Sequence, residues 1–233
     1  MGKVQIGLAV MFLVAGCGVQ EATPSESHTC QDSAWAVALA TSCSEPSPLP
    51  GIAEVEALVG PWQATPIGLS EGTVRQLDAE CQAFNLFAPS VSLVVVDARG
   101  QGRVILHYAG DDGHDGTCES TAQADGSFLT RPVSHTNHPQ TIEVVPLEPY
   151  ELRVHGGMGS PGSAAPADRW LSVTGEAGPG ISQVVAELPD QSLVEASMGG
   201  GWFVLWWPTP VTGEHRLIGL NDAGEEVASL TER

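Results

Sequence analysis

Cations are what this sequence has least of. Of 233 residues only 9 are Lys or Arg, against 28 Asp and Glu, for a formal charge of −19. Lys3 is the only lysine, so every later cation is an arginine. A nucleic-acid binder needs a basic footprint to neutralise phosphate, and this composition argues against one. Paired CxxC cysteines are missing, which argues against a structural zinc site. No Walker A, Rossmann or HExxH pattern is present either. The apolar run Val4–Val14, broken by Gln5 and Gly7, is too short for a stable membrane span. What the chain does hold is 56 Leu, Ile, Val and Phe residues, enough to fold around a core as one large domain or two small ones.

The first residues read as an export signal: Lys3, the apolar run, then the small residues Ala15 and Gly16 ahead of Cys17. Leu13-Val14-Ala15-Gly16-Cys17 resembles the lipobox of bacterial lipoproteins. That resemblance implies lipidation of Cys17, removal of residues 1–16 and a mature chain held by lipid on the extracytoplasmic face of the cell membrane. Two or more acyl chains are needed for stable anchoring. The mature chain has 8 arginines, no lysine and 28 acids, a charge of −20. Anionic headgroups repel such a surface within about a Debye length of 10 Å, so the lipid tethers the protein without adhesion. Residues 17–29 form a polar tether, with a reach of about 20 Å if flexible.

Four cysteines remain: Cys30, Cys43, Cys81 and Cys118. An even number outside the cytoplasm implies two disulfides. Ser92–Val96 and Val104–Tyr108 read as a hairpin joined by Asp97-Ala98-Arg99-Gly100-Gln101-Gly102. Positions 81 and 118 are symmetric about that turn, so Cys81 is expected to pair with Cys118 at the hairpin's open end, leaving Cys30 with Cys43. The helix suggested by 33–40 must then be short, because a disulfide needs its Cα atoms within about 7 Å.

The expected organisation is a signal peptide at 1–16, a tether at 17–29, a helix-plus-hairpin β-rich region at 30–165 and a small β-sandwich at 166–233, which can join the preceding region in one domain. A helix is expected over 71–84, capped by Ser70, with Val74, Leu77, Cys81 and Phe84 on one face. Leu93-Val94-Val95-Val96, apolar on both faces, reads as a buried strand. Further strands are expected at 120–124, 127–130, 141–145 and 150–154. The Gly, Ser, Ala and Pro-rich stretch 156–168 reads as a long loop. Six short strands follow at 170–174, 183–188, 193–197, 202–207, 215–221 and 225–229. The fold class is therefore mainly β: antiparallel and sandwich-like, with one or two short N-terminal helices and two disulfides.

Val95-Val96-Asp97-Ala98-Arg99-Gly100, Gly201-Trp202-Phe203-Val204-Leu205-Trp206-Trp207-Pro208 and Asn221-Asp222-Ala223-Gly224 are similar to a pattern in uncharacterised exported actinobacterial proteins, lipoproteins or single-span proteins with β-rich ectodomains. The similarity covers about half of the mature chain. It implies location and architecture and carries no catalytic residue.

Several candidate sites have a bland reading beside them. On the strand 202–207, Trp202, Val204 and Trp206 face one side and Phe203, Leu205 and Trp207 the other. The pattern favours a strand packed on both faces; the functional alternative makes Trp202, Trp206 and Trp207 a platform for a protein or cell-wall glycan. Asp111, Asp112 and Asp115 are the candidate ligands for a hard cation, but the spacing fails the EF-hand pattern and favours a solvated acidic turn. His135 and His138 lack a third ligand at matching spacing. Gly68-Leu69-Ser70-Glu71-Gly72 has the GxSxG form without the strand a nucleophile elbow requires, so Ser70 reads as a cap.

No catalytic residue and no cofactor is assigned. The expectation is a lipid-anchored extracytoplasmic protein with a non-enzymatic binding, interaction or envelope role. Its partners are the membrane through the lipid and a protein or glycan, with no nucleic acid. The alternatives are a secreted hydrolase with a site assembled from scattered residues, or a sensor or partner domain of a membrane complex.

Overall fold

The computed structural model describes residues 51–84, 90–111, 113–136, 145–159, 169–209 and 213–232. All of them lie in one compact unit, residues 44–233. Cys17, Cys30, Cys43 and the helix expected at 33–40 fall outside the described residues, as does most of the strand expected at 141–145.

Two helices lead the unit. α1 (Ile52–Val59) was not anticipated; it buries Leu58. α2 (Glu71–Gln82) is the expected helix, and the Ser70 hydroxyl accepts from the Thr73 N–H as its cap. The Glu54 carboxylate of α1 accepts from the Ser70 N–H at 2.7 Å and the Thr73 hydroxyl at 3.0 Å. A negative group there also suits the N-terminal end of the α2 dipole. α2 buries Thr73, Leu77 and Cys81. It stops at Gln82, so Phe84 leaves the expected face and is 42 % exposed.

Twelve strands follow among the described residues, all paired antiparallel in three four-stranded sheets. The first sheet runs β1 (Ser92–Ala98), β2 (Arg103–Ala109), β3 (Asp115–Ala122), β4 (Phe128–Thr136). The second has the order β5 (Leu152–Gly159), β6 (Trp170–Ala177), β10 (Trp202–Pro208), β9 (Ser197–Gly199). The third has the order β12 (Glu226–Glu232), β11 (His215–Leu220), β7 (Gln183–Glu187), β8 (Leu193–Glu195).

The sheets stack with the helices on one outer side. Leu58 and Leu77 pack with Val104, Leu106 and Tyr108 on one face of β2. Ile105, on the opposite face, packs with Trp170, Val204 and Trp206 of the second sheet. Phe203, Leu205 and Trp207 point the other way, into a core with Val184, Ala186 and Leu217 of the third. The mainly antiparallel, sandwich-like fold is thus the observed one. β10 is apolar on both faces because it lies inside the middle sheet.

Several local expectations are corrected. β1 is an edge strand by hydrogen bonding, and its neighbour β2 is the one buried along nearly its whole length. β3 starts at Asp115, so the acidic loop is shorter than its sequence suggests. Gly156, Gly157, Met158 and Gly159 continue β5 and pair with β6, which means that strands on either side of residue 166 share one sheet. The strand expected at 193–197 is not one strand: the chain pairs with β7 as β8 and then, from Ser197, with β10 as β9, changing sheets at Ala196.

The disulfide joins Cys81 to Cys118 with Cα atoms 6.2 Å apart. The pairing is the expected one, for a different reason. The hairpin closes between Ala98 and Val104, and Cys118 lies mid-strand on β3 opposite Leu106. The bridge therefore pins α2 flat against the first sheet. Closing a loop with a separation of 37 residues contributes about 4 kcal/mol on chain entropy.

The first and second sheets meet closely beside β1. A bulge in β1 between Leu93 and Val95 turns the Val94 carbonyl toward Gly199, where an added Cβ would lie 2.1 Å from the oxygen. Behind this contact sits a fully buried ion pair. The Arg99 Nε and Nη2 donate to the two Asp97 carboxylate oxygens, both at 2.7 Å. Nη1 donates to the Ala64 carbonyl and Nη2 also to the Glu195 carbonyl, just before the chain changes sheets. Burial pushes the Asp97 carboxyl up, against the pull of Arg99 and hydrogen bonds from Ser197. The segment 62–67 is held as a strap: the Gln63 N–H donates to the Arg99 carbonyl at 2.8 Å and the Ile67 N–H to Ala98 at 2.6 Å. Replacing one member of such a pair strands the other charge in the core. Arg99→Met is expected to cost about 3–5 kcal/mol in urea unfolding, and the double variant Asp97→Leu/Arg99→Met distinctly less.

Candidate functional site

The chemistry-bearing side chains converge between the first and second sheets. Strand alternation places Arg103, Ile105 and His107 on the face of β2 opposite Val104, Leu106 and Tyr108. Thr117 and Glu119 of β3 lie beside them, and Trp170, Ser172, Thr174, Trp202 and Trp206 approach from the second sheet. Most of these groups are buried, and they form two connected clusters.

The first cluster centres on Glu119, whose side chain is 1 % accessible. Arg131 donates through Nε and Nη2 to Oε2 at 2.9 and 2.6 Å, and Arg103 pairs with Oε1. The Arg103 guanidinium lies 4.3 Å from the centre of the Trp170 ring and 5.5 Å from Trp206. Aromatic faces attract a cation in this position, the more so when both are shielded from water.

The second cluster is a histidine pair around Trp202. The His107 ring lies 4.6 Å from the Trp202 ring, and the His155 ring 4.7 Å from it. A register shift between Val154 and Gly156 leaves His155 outside the strand pairing and turns its ring to this contact. The His155 Nε2 is 2.7 Å from the Glu176 carboxylate, which Arg153 approaches at 3.6 Å. His107 Nδ1 sits 3.3 Å from the Thr117 hydroxyl, while its buried Nε2 has no hydrogen-bond partner among the described residues. Burial holds His107 down to about 4, with Asp115 opposing and His155 reinforcing the shift. His107 is therefore neutral at ordinary pH. Among the described residues no hydroxyl or thiol hydrogen-bonds to His155, so the His155–Glu176 pair has no nucleophile aligned with it.

The residues singled out from sequence scatter. Trp206 and Trp207 are 0 % and 1 % exposed, which removes the tryptophan platform; they are spent on opposite faces of β10, and Trp202 alone is partly accessible. Asp111 is exposed in a turn, Asp115 begins β3 opposite Ala109 and Thr136, and Asp112 lies outside the described residues. Among the described residues no three His, Cys, Asp or Glu side chains gather as a metal site requires. His135 is paired opposite Gly116 in the first sheet, and His138 lies outside the described residues. Ser70 is a helix cap bound to Glu54.

His107, Glu119, His155 and Glu176 were missed. The one available signal was a histidine and an arginine on the same side of an otherwise apolar β2.

Two shallow grooves open on the surface. One, of about 300 Å³, is lined by Ile67, Leu69, Val96 and Met198 among others. The second, of about 360 Å³, is polar and includes Tyr150, Ser182, Asn221 and Asp222. No protein-family model, curated protein or solved structure matches the chain.

The polar layer should register in acid. His107 titrates near 4 when folded and near 6.5 when unfolded, so the unfolded chain binds more protons between those values. The stability carried by the neutral ring is complete above about pH 6.5 and is lost as the pH falls toward 4, by roughly 3 kcal/mol. Urea unfolding at stepped pH should show this slope in the parent and a shallower one in His107→Gln.

Proposed function

We propose that this is an extracytoplasmic protein, lipid-anchored to the cell membrane through Cys17, that acts by binding a partner and not by catalysing a reaction. The observation that carries the reading is the use of the polar groups. The arginines, carboxylates and histidines between the sheets are committed to one another and to tryptophan rings, while the open grooves present apolar or mixed polar surfaces. Location is supported by the lipobox-like residues and by the buried Cys81–Cys118 bridge, a bond that persists in oxidising compartments. Expression in an exporting bacterial host with labelled palmitate tests the anchor. The parent chain should carry label and sediment with membranes, and Cys17→Ser should lose both. An unlabelled parent, or a variant that stays with the membrane, overturns the reading.

The hydrolase alternative draws on one observation, the 2.7 Å contact of His155 with Glu176 at a half-open position. It requires turnover of p-nitrophenyl esters or glycosides that His155→Gln abolishes. The binding reading expects no turnover by the parent above a buffer blank.

A further inference from the structure

The polar groove at the end of the second and third sheets has a feature that ordinary surface turns lack. Tyr150 is 56 % exposed, and one edge of its ring rests against the backbone at Gly180. Gly178-Pro179-Gly180 runs against residues 148–151: the Gly178 N–H donates to the Glu151 carbonyl at 2.9 Å and the Gly180 N–H to the Pro149 carbonyl at 2.7 Å. An added Cβ at Gly178 would lie 2.1 Å from the Glu148 oxygen, so the approach depends on glycine. At Gly180 a Cβ would lie 2.4 Å from Cε1 of Tyr150. The tyrosine ring thus fills the space where a side chain at 180 would stand, and its remaining surface faces solvent.

The opposite wall is also preorganised. The Asn221 Oδ1 accepts from the Ala223 and Glu225 N–H groups, both at 3.0 Å, and its Nδ2 donates to the Glu225 carboxylate. These bonds fix the turn that carries Asp222, leaving that carboxylate exposed at the groove. Ser182 adds a hydroxyl that donates to the Leu220 carbonyl at 3.4 Å, so its lone pairs can accept from a ligand; its backbone N–H is tied to the same carbonyl at 2.9 Å.

We infer that this groove is a carbohydrate subsite, in which a pyranose lays its flat C–H face on Tyr150 while its hydroxyls are taken by Asp222 and Ser182. An aromatic ring braced along one edge supplies contact area at a reduced ordering cost on binding. A carboxylate accepts two hydroxyl hydrogens of a vicinal diol, a pairing that suits a neutral polyol. A quaternary ammonium would be better served by several enclosing rings, and this groove is open with one. The inference deepens the binding reading above by naming a ligand class, and it rests on that reading.

The test is calorimetric titration of the full chain, purified from the exporting host, with cellotetraose and chitotetraose, sugars whose equatorial substituents leave flat faces. At least one is expected to bind. Tyr150→Ala should weaken it roughly tenfold, Tyr150→Trp should retain it, and Asp222→Asn should reduce it. Each substitution lies on the surface, and an unchanged thermal midpoint verifies the fold. Gly180→Ala keeps the tyrosine but displaces its ring, and should lose affinity as Tyr150→Ala does. Flat titrations with both sugars overturn the assignment, as does a Tyr150→Ala variant that binds like the parent. Binding of tetramethylammonium in place of the sugars also overturns it and reassigns the groove to cations. Palmitate labelling of the same preparation separates the two readings: a labelled protein that binds neither sugar loses only the subsite, and an unlabelled one that binds sugar loses only the anchor.

Discussion

A guanidinium deep in a protein is tolerable only when its donors find acceptors, and four of the five N–H groups of Arg99 do so by reaching three parts of the chain. Asp97 takes one edge of the fork, the Ala64 carbonyl fixes the strap between the helices, and the Glu195 carbonyl fixes the chain where it leaves the third sheet. A lysine could not reproduce this, because its donors radiate from one nitrogen and lack the planar fork. Once the charge is buried, the turn after β1, the strap and the crossover must all adopt their places together. The remaining packing is arranged around that demand.

Against this background, the legible parts of the sequence were those governed by local alternation. The two-faced apolar pattern of 202–207 belongs to a strand covered on both sides, and residues 71–82 form the helix that their spacing and Ser70 cap imply. Where the reading failed, a distant partner decided the outcome. β1 has the apolar character of a central strand yet lies at a sheet edge, because α2 and the second sheet cover its faces while its outer hydrogen-bonding side stays unpaired within its own sheet. The glycine-rich residues 156–159 look like loop but extend an edge strand whose ladder is supplied by β6. The Cys81–Cys118 pairing was correctly expected from symmetry about a turn, but the structure achieves it by laying a helix across β3.

The candidate site was less legible than the fold. Glu119 and Trp170 are 51 positions apart, and nothing local to either announces that Arg103 will link them. The tryptophans drew attention because they are large and close together in sequence, whereas burial consumes two of them. Tyr150 stands alone in a proline-bearing stretch, and the space its ring occupies is left by a glycine thirty residues later. Composition and motif can mark where chemistry is affordable; which groups meet is a matter of how sheets stack.

The change of sheet at Ala196 has a mechanical meaning. The same short run of chain supplies the edge of the third sheet and, after one residue, the edge of the second. Neither edge can peel away without pulling on the other, so the usual route by which a stacked β-protein frays, loss of one outer layer while the rest holds, is blocked on this side. The strand acts as a shared hem that couples the second and third sheets along this edge.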